Sequence, residues 1–326
     1  MKILYYGEFD KSNGPGCVDQ ALLNELGENV CPVMRDQSFK LQTLSVLSSS
    51  DCVHVSGVSL KGLILSIIGK ALGKPSCCTL HGAIFQERRF RQIPIWKKWL
   101  ETLHVLVSDR VVVVSDNLLS VLKIKKENVS KFRVIPNGCE IKGRARSRNK
   151  REKFILCAGG GRPEKNILSV CQALSESKPV RVVVYGENGT DTSAIKAYPF
   201  VEYLGPINRA YASELMSRAK VFVQNSIYEP FGIAALEALT HGCKVIVSNK
   251  CGILNYLPEG SVEICDPDDC HILSLILTKT LHENSPRKVQ FKKEIFAWKH
   301  RASEYMGCWS EMCDKPGLHK SLAENR

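Results

Sequence analysis

The chain predicts an α/β protein made of two domains, each a parallel sheet flanked by helices. Three observations lead to this. A length of 326 residues suits two domains of ordinary size. Short apolar strand-like runs alternate with longer helix-like runs, and this happens twice. A basic, apolar-poor stretch at residues 142–153 separates the two alternations and reads as a linker.

The first alternation opens at residues 2–6, where Ile3-Leu4-Tyr5-Tyr6 runs into Gly7. Further strands are expected at residues 51–55, 76–79, 110–114 and 132–135, and helices at 16–26, 60–72, 94–107 and 116–123. Ile135-Pro136-Asn137-Gly138 then closes the domain as a turn. In the second alternation strands are expected at 153–158, 180–185, 201–204, 221–223, 244–247 and 262–264, with helices at 166–175, 210–219, 232–241 and 268–281. A tail over residues 296–312 carries Trp298 and Trp309. The expected division is residues 1–145, 146–291 and a last helical segment at 292–326.

Hydrophobic content of 44% and charged content of 24% describe a soluble globular protein. The N-terminus lacks the cleavage flank of a signal peptide. The longest apolar run, residues 60–72, is interrupted by Lys61, Gly62 and Lys70 and is too short to span a membrane. The fourteen cysteines form no Cys-x-x-Cys pair, so they read as small buried hydrophobes in a reducing cytoplasm. The net charge of +12 is concentrated. Arg88, Arg89, Arg91, Lys97 and Lys98 interleave with Phe85, Phe90, Trp96 and Trp99. Basic and aromatic residues mixed over 85–100 suit an anionic membrane surface, the rival being a core helix with a solvated face. No nucleic-acid motif accompanies the charge, and no nucleic-acid partner is expected.

The segment richest in chemistry is Tyr228-Glu229-Pro230-Phe231-Gly232-Ile233-Ala234-Ala235-Leu236-Glu237-Ala238. A loop carboxylate, a Pro-Phe-Gly turn and an apolar helix follow one strand and precede another. Free amides at Phe231, Gly232 and Ile233 at such a helix start suit a phosphate. Gly232 admits a ligand close to the backbone. Glu237 is the odd carboxylate on a face of Ile, Ala and Leu, and a hydroxyl-bearing ligand is a natural partner.

This segment resembles the Glu-x7-Glu signature of retaining GT-B nucleotide-sugar glycosyltransferases, glycosyltransferase family 4-like, of the bacterial surface-polysaccharide type. The resemblance covers nearly the whole chain and is most specific over residues 159–247. It implies two Rossmann-like domains facing across a cleft, with the acceptor on the first, the donor on the second and the last helix returning to the first. It places the donor sugar on Glu229 and the ribose hydroxyls on Glu237. Leu80-His81-Gly82 resembles the family's His-Gly, which puts His81 beside the reacting centre; a lone histidine after a strand is otherwise usually structural. Gly14-Pro15-Gly16 resembles its first glycine-rich loop, with Gly16 near the donor. Gly159-Gly160-Gly161-Arg162-Pro163-Glu164-Lys165 resembles its diphosphate loop. Lys165 matches the family lysine, but the family arginine falls on Gly160, with Arg162 two residues later. Trp298 resembles a tryptophan of the last helix.

What the resemblance implies is a retaining hexosyltransferase in which the leaving diphosphate takes the acceptor proton. A UDP-sugar is slightly preferred as donor, and a lipid-linked saccharide in O-antigen or capsule assembly is the expected acceptor. A GT-B epimerase and a non-catalytic GT-B binding protein are the alternatives. No cofactor or metal is expected, because Asp266-Pro267-Asp268-Asp269 reads as a helix cap rather than a metal site. The expected place is the cytoplasm, peripherally at the inner face of the plasma membrane.

Overall fold

The strand runs assemble into two six-stranded sheets, and every strand pairing in them is parallel. The computed structural model describes residues 1–9, 14–36, 41–122, 124, 126–140, 151–175, 180–283 and 293–314. One compact unit comprises Met1–Arg88, Gln92–Gly138 and Ala297–Arg326, and the other Cys139–Phe296 with Arg89–Arg91.

The first unit runs β1 (Ile3–Gly7), α1 (Gly14–Leu26), β2 (Val30–Met34), α2 (Leu41–Ser49), β3 (Cys52–Ser56), α3 (Leu60–Ala71), β4 (Ser76–Leu80), α4 (Ile84–Glu87), α5 (Trp96–Val107), β5 (Arg110–Val113), α6 (Asp116–Val121) and β6 (Phe132–Val134). Its sheet order is β2-β1-β3-β4-β5-β6. The chain leaves β1 toward one edge and returns through β3 toward the other. The carboxyl ends of β1 and β3 therefore flank the switch point where open α/β sheets take ligands. Leu4, Tyr6, Val53 and Val55 form a core with Leu47 of α2 and Leu65 of α3.

Three elements of this unit, β2, α2 and the single turn α4, escape sequence reading. Strand β2 contains Pro32, which cannot donate to a ladder and is tolerated because β2 is an edge strand. Helix α2, Leu-Gln-Thr-Leu-Ser-Val-Leu-Ser-Ser, mixes serines and β-branched residues that weaken a helical signal. The expected helix at 94–107 starts only at Trp96. Residues 88–95 precede it as non-helical chain, so the basic cluster is not one helix face.

The second unit runs β7 (Glu152–Ala158), α7 (Ile167–Ser175), β8 (Val182–Tyr185), α8 (Thr192–Lys196), β9 (Val201–Gly205), α9 (Arg209–Arg218), β10 (Ala219–Gln224), α10 (Ile233–Thr240), β11 (Lys244–Ser248), β12 (Glu263–Cys265) and α11 (Cys270–His282). Its order, β12-β11-β10-β7-β8-β9, puts the switch point between β7 and β10. Ile155, Cys157, Val182, Val184, Val221, Val223 and Ile246 supply the sheet side of a core closed by α7 and α11.

Residues 141–150 of the expected linker lie outside the described residues. Its end is not linker. Lys153 belongs to β7, and Arg151 donates to the carbonyls of Met216 (3.1 Å), Ala219 (2.7 Å) and His241. A cation is thus spent on the carbonyls that end α9 and α10. Asp269 caps α11 through Ile272 N at 2.8 Å. Asp266 accepts from Asp268 N and Asn249 Nδ2, both at 3.0 Å.

The last helix, α12 (Trp298–Cys313), belongs to the first unit. Trp309 is fully buried there and donates to His54 Nδ1 at 3.2 Å, while Tyr305 Oη meets Thr79 Oγ1 at 3.3 Å. Burial pushes the His54 imidazole down to about 3, so the ring is neutral and can accept the indole proton. Trp298, the tryptophan singled out from sequence, is buried too, but its indole N–H has no partner among the described residues. No disulfide forms among the described residues, and ten of the fourteen cysteines are buried. No helix of the described residues is long and apolar enough to cross a membrane.

Candidate functional site

At the second unit's switch point two loops converge. The loop after β7 brings Lys165, and the loop after β10 brings Glu229. Lys165 Nζ lies 2.6 Å from Glu229 Oε2, with the side chains only 13% and 10% exposed. The same oxygen accepts from Gln224 Nε2 and, at 3.5 Å, from Ser226 Oγ. Three donors thus crowd onto Oε2, whereas Oε1 has no hydrogen bond among the described residues. The backbone fixes this arrangement. Ile227 N donates to Glu164 O (2.9 Å), which ties the two loops together, and Gly252 N donates to Glu229 O (3.1 Å).

Helix α10 begins directly after Glu229. Gly232 precedes it with φ of 107°, a left-handed conformation that disfavours any side chain. Ile253 N donates to Phe231 O at 2.7 Å, which consumes that carbonyl. The amides of Phe231, Gly232 and Ile233 donate to no protein acceptor among the described residues. One turn on, Glu237 pairs with Arg209 at 3.1 Å, and Arg209 also reaches Glu140 at 3.6 Å. Burial raises the Glu237 carboxyl, with Arg209 opposing.

The glycine loop is more occupied than its sequence suggests. Gly159 N and Gly160 N both donate to Tyr185 O (2.8 and 2.9 Å), and Gly161 N donates to Glu187 O (3.0 Å). These amides bind the end of β8 and the loop after it and are not available to a phosphate. Arg162 folds back so that its Nε donates to Gly159 O at 3.0 Å. Glu164 is buried and paired with Arg91, so one cation of the basic cluster serves an internal ion pair. The side-chain hydrogen bond from Arg91 pulls the Glu164 carboxyl below its usual range, against the desolvation that raises it.

In the first unit the carboxyl ends of β1, β3 and β4 gather a polar cluster. His81 Nε2 is 2.8 Å from Ser56 Oγ, and Ser56 Oγ donates to Asp19 Oδ1 at 2.6 Å. Tyr5 Oη (2.9 Å) and Glu8 N (2.8 Å) also donate to Asp19. Arg35 pairs with Glu8 at 3.0 Å and donates to Ser56 O. Burial, helped by Arg35, pushes the His81 imidazole down to about 4. Gly16 is buried in the first turn of α1 rather than in a loop; Asn13, before it, lies outside the described residues.

Residues 140–296, which coincide with the second unit, match the family Glycosyl transferases group 1. The second unit is a group 1 glycosyl transferase domain. The Bacillus subtilis (strain 168) protein named uncharacterized glycosyltransferase YqgM is 30% identical over 201 residues, which is 57% of this chain and 55% of that protein. The GDP-mannose:cellobiosyl-diphosphopolyprenol alpha-mannosyltransferase of Xanthomonas campestris is 26% identical over 220 residues, 63% of this chain and 58% of that protein. The chain thus spans little more than half the length of these curated relatives. The structure of Anabaena HepE in complex with UDP-glucose superposes with a TM-score of 0.65 at 16% identity, covering 96% of each chain. With two six-stranded parallel sheets, that likeness identifies the fold of the whole chain as GT-B.

Within the group 1 domain, Lys165 and Glu229 are brought into one ion pair, and Phe231, Gly232 and Ile233 stand beside it. Glu237 lies one turn into α10, paired with Arg209. His81 and Gly16 belong to the other unit of this GT-B chain. Sequence reading missed Gln224, Ser226 and Arg209, which hold the two glutamates. It also missed Asp19 and Ser56 behind His81. Two of these carried a signal: Gln224 ends an otherwise apolar strand, and Asp19 interrupts the apolar face of Val18, Ala21 and Leu22 on α1. No group of three or more His, Cys, Asp or Glu able to hold a metal occurs among the described residues.

Proposed function

We propose that the protein is a retaining glycosyltransferase that moves a sugar from a nucleotide-sugar donor to an acceptor hydroxyl. The observation that carries this reading is the Glu229 carboxylate. Its Oε2 is held by Lys165, Gln224 and Ser226, and its Oε1 is left to accept from a ligand, beside three unspent amides at the start of α10. Oε1 takes a sugar hydroxyl of the donor. The amides of Phe231, Gly232 and Ile233 take the diphosphate, where the helix dipole favours anionic charge. Lys165 offsets charge that builds on the leaving diphosphate, and Arg162 assists by swinging away from Gly159. Glu237 binds the ribose hydroxyls, and its partner Arg209 opposes the burial that raises its carboxyl. The family resemblance assigns His81 to the developing positive charge on the sugar and Gly16 to the donor. No metal or other cofactor takes part. The donor is a UDP-sugar, a preference supported by the UDP-glucose bound to HepE.

A thermal-shift panel of UDP, GDP, ADP and their sugars tests the donor site, because a ligand of the folded state raises its apparent stability. Stabilisation by the UDP series, lost in Glu237→Ala, is the expected result. A flat panel, or a shift unchanged in Glu237→Ala, rejects the assignment.

The acceptor in this reading is a lipid-linked saccharide presented at a membrane, on the cytoplasmic face where the protein binds peripherally. The relative that acts on a diphosphopolyprenol supports it, as does the surface of α5 and α3. Trp96 (54% exposed), Trp99 (68%), Leu103 and Leu106 recur along one side of α5. Leu60, Ile64 and Ile67 recur along α3, which packs against it. Lys97 and Lys98 flank this apolar surface. Aromatic and aliphatic side chains with basic neighbours insert at an anionic interface. Co-sedimentation with vesicles containing anionic lipid is expected, and Trp96→Ser with Trp99→Ser is expected to abolish it. Equal sedimentation of the double variant, or none by the native protein, rejects the surface.

A further inference from the structure

The polar cluster behind His81 has a defined hydrogen-bond direction. Asp19 is almost fully buried, and burial raises its carboxyl to about 6 against the hydrogen bonds it receives, so at physiological pH it is ionised and only accepts. Its Oδ2 receives the amide of Glu8, a donor that cannot be reversed. Its Oδ1 lies 2.6 Å from Ser56 Oγ, a spacing typical of a hydroxyl donating to a carboxylate. Two oxygens that close repel unless a proton lies between them, and Ser56 has only one to give. That proton is spent on Asp19. At its other contact, 2.8 Å from His81 Nε2, the Ser56 oxygen must therefore accept. The histidine nitrogen there must carry hydrogen. Because burial and Arg35 keep the ring neutral at physiological pH, the remaining nitrogen, Nδ1, holds a lone pair. Among the described residues Nδ1 makes no hydrogen bond to the protein.

We propose that Asp19, acting through Ser56, fixes His81 as the Nε2–H tautomer and so makes Nδ1 a hydrogen-bond acceptor for a substrate hydroxyl. The substrate half of this rests on the reading of His81 given above. Asp19 is a positioning residue and does not itself touch the sugar. Other charged groups around the cluster are Glu8 and Arg35, which pair with each other. Tyr5 is a third donor to Asp19 and cannot replace the Ser56 proton in the 2.6 Å contact.

Asp19→Asn reverses the chain. The Glu8 amide still requires an acceptor, so the new carboxamide oxygen turns toward it and the NH2 faces Ser56. Ser56 then accepts from that NH2 and donates to His81 Nε2, which moves the ring proton to Nδ1. Long-range 15N–1H spectra of the labelled protein, with the His81 signals assigned by their loss in His81→Gln, distinguish the two tautomers. Nε2–H is expected in the native protein and in Ser56→Thr. Nδ1–H is expected in Asp19→Asn, and no fixed preference in Ser56→Ala. A native ring with Nδ1–H overturns the proposal, as does an Nε2–H ring in a folded Asp19→Asn protein. The native spectrum alone decides if that variant fails to fold. Asp19→Asn is also expected to lower kcat of transfer about tenfold or more with KM for the donor little changed. Normal transfer by His81→Ala overturns the substrate half and the reading it rests on, while the spectra still decide the tautomer.

Discussion

Glu229→Gln and Lys165→Ala are each expected to lower turnover of the donor by at least about a hundredfold, the usual cost of losing one positioned charge at a reacting centre. The two differ in what else they do. Lys165 and Glu229 form a pair that is mostly removed from water. Lys165→Ala leaves the carboxylate with only Gln224 and Ser226 as donors, and breaking a buried pair from one side costs about 3 kcal/mol. Lys165→Ala is therefore expected to lower stability as well as turnover. Combining Lys165→Ala with Glu229→Gln removes both charges, so stability is expected to recover while turnover stays low. Nucleoside diphosphate release and denaturant unfolding of the four proteins complete a double-mutant cycle. Near-normal turnover by both single variants sinks the assignment. Additive stability losses sink the pairing.

Gly160→Ala is expected to cost the second unit about 3 kcal/mol or more. The loop after β7 seats backbone to backbone against the loop after β8. A Cβ on Gly160 would stand 2.0 Å from Glu187 O and 2.7 Å from the Gly186 carbonyl carbon. Neither can yield as a side-chain end would, and φ of 63° adds left-handed strain of about 1–2 kcal/mol. Gly205→Ala is the control. It shares the left-handed backbone, φ 70°, but a Cβ there meets nothing within 4 Å, so only the strain is expected. Denaturant midpoints should therefore fall far more for Gly160→Ala. Equal shifts in the two variants contradict the close seat. Transfer should fall as well, since this loop leads directly into Lys165.

Several parts of this protein were legible because their physics is local. The β-branched and aromatic runs at Val111–Val113 and Val221–Val223 are strands wherever a chain can cover both faces of a parallel sheet. Gly232 before an apolar helix announces a chain turn at the start of α10, and the Asp269 cap on α11 was legible in the same way. What was not legible depends on partners distant in sequence. Pro32 argues against a strand until β2 is seen at the edge. Arg151 and Arg91 look like solvated linker and surface charge until their carbonyl and carboxylate partners are brought to them. The amides of Gly159 and Gly160 look available until the end of β8 closes on them.

The amino-acid sequence by itself determined two alternating α/β halves and the segment from Glu229 to Glu237 with its resemblance, because periodicity and turn chemistry act over a few residues. Tertiary structure alone decided that Lys165 meets Glu229, 64 positions away, and that Ser56 stands between Asp19 and His81. It also decided that the last helix buries Trp309 against His54. Strand order fixes which carboxyl ends become neighbours, and strand order follows from packing both faces of a whole sheet.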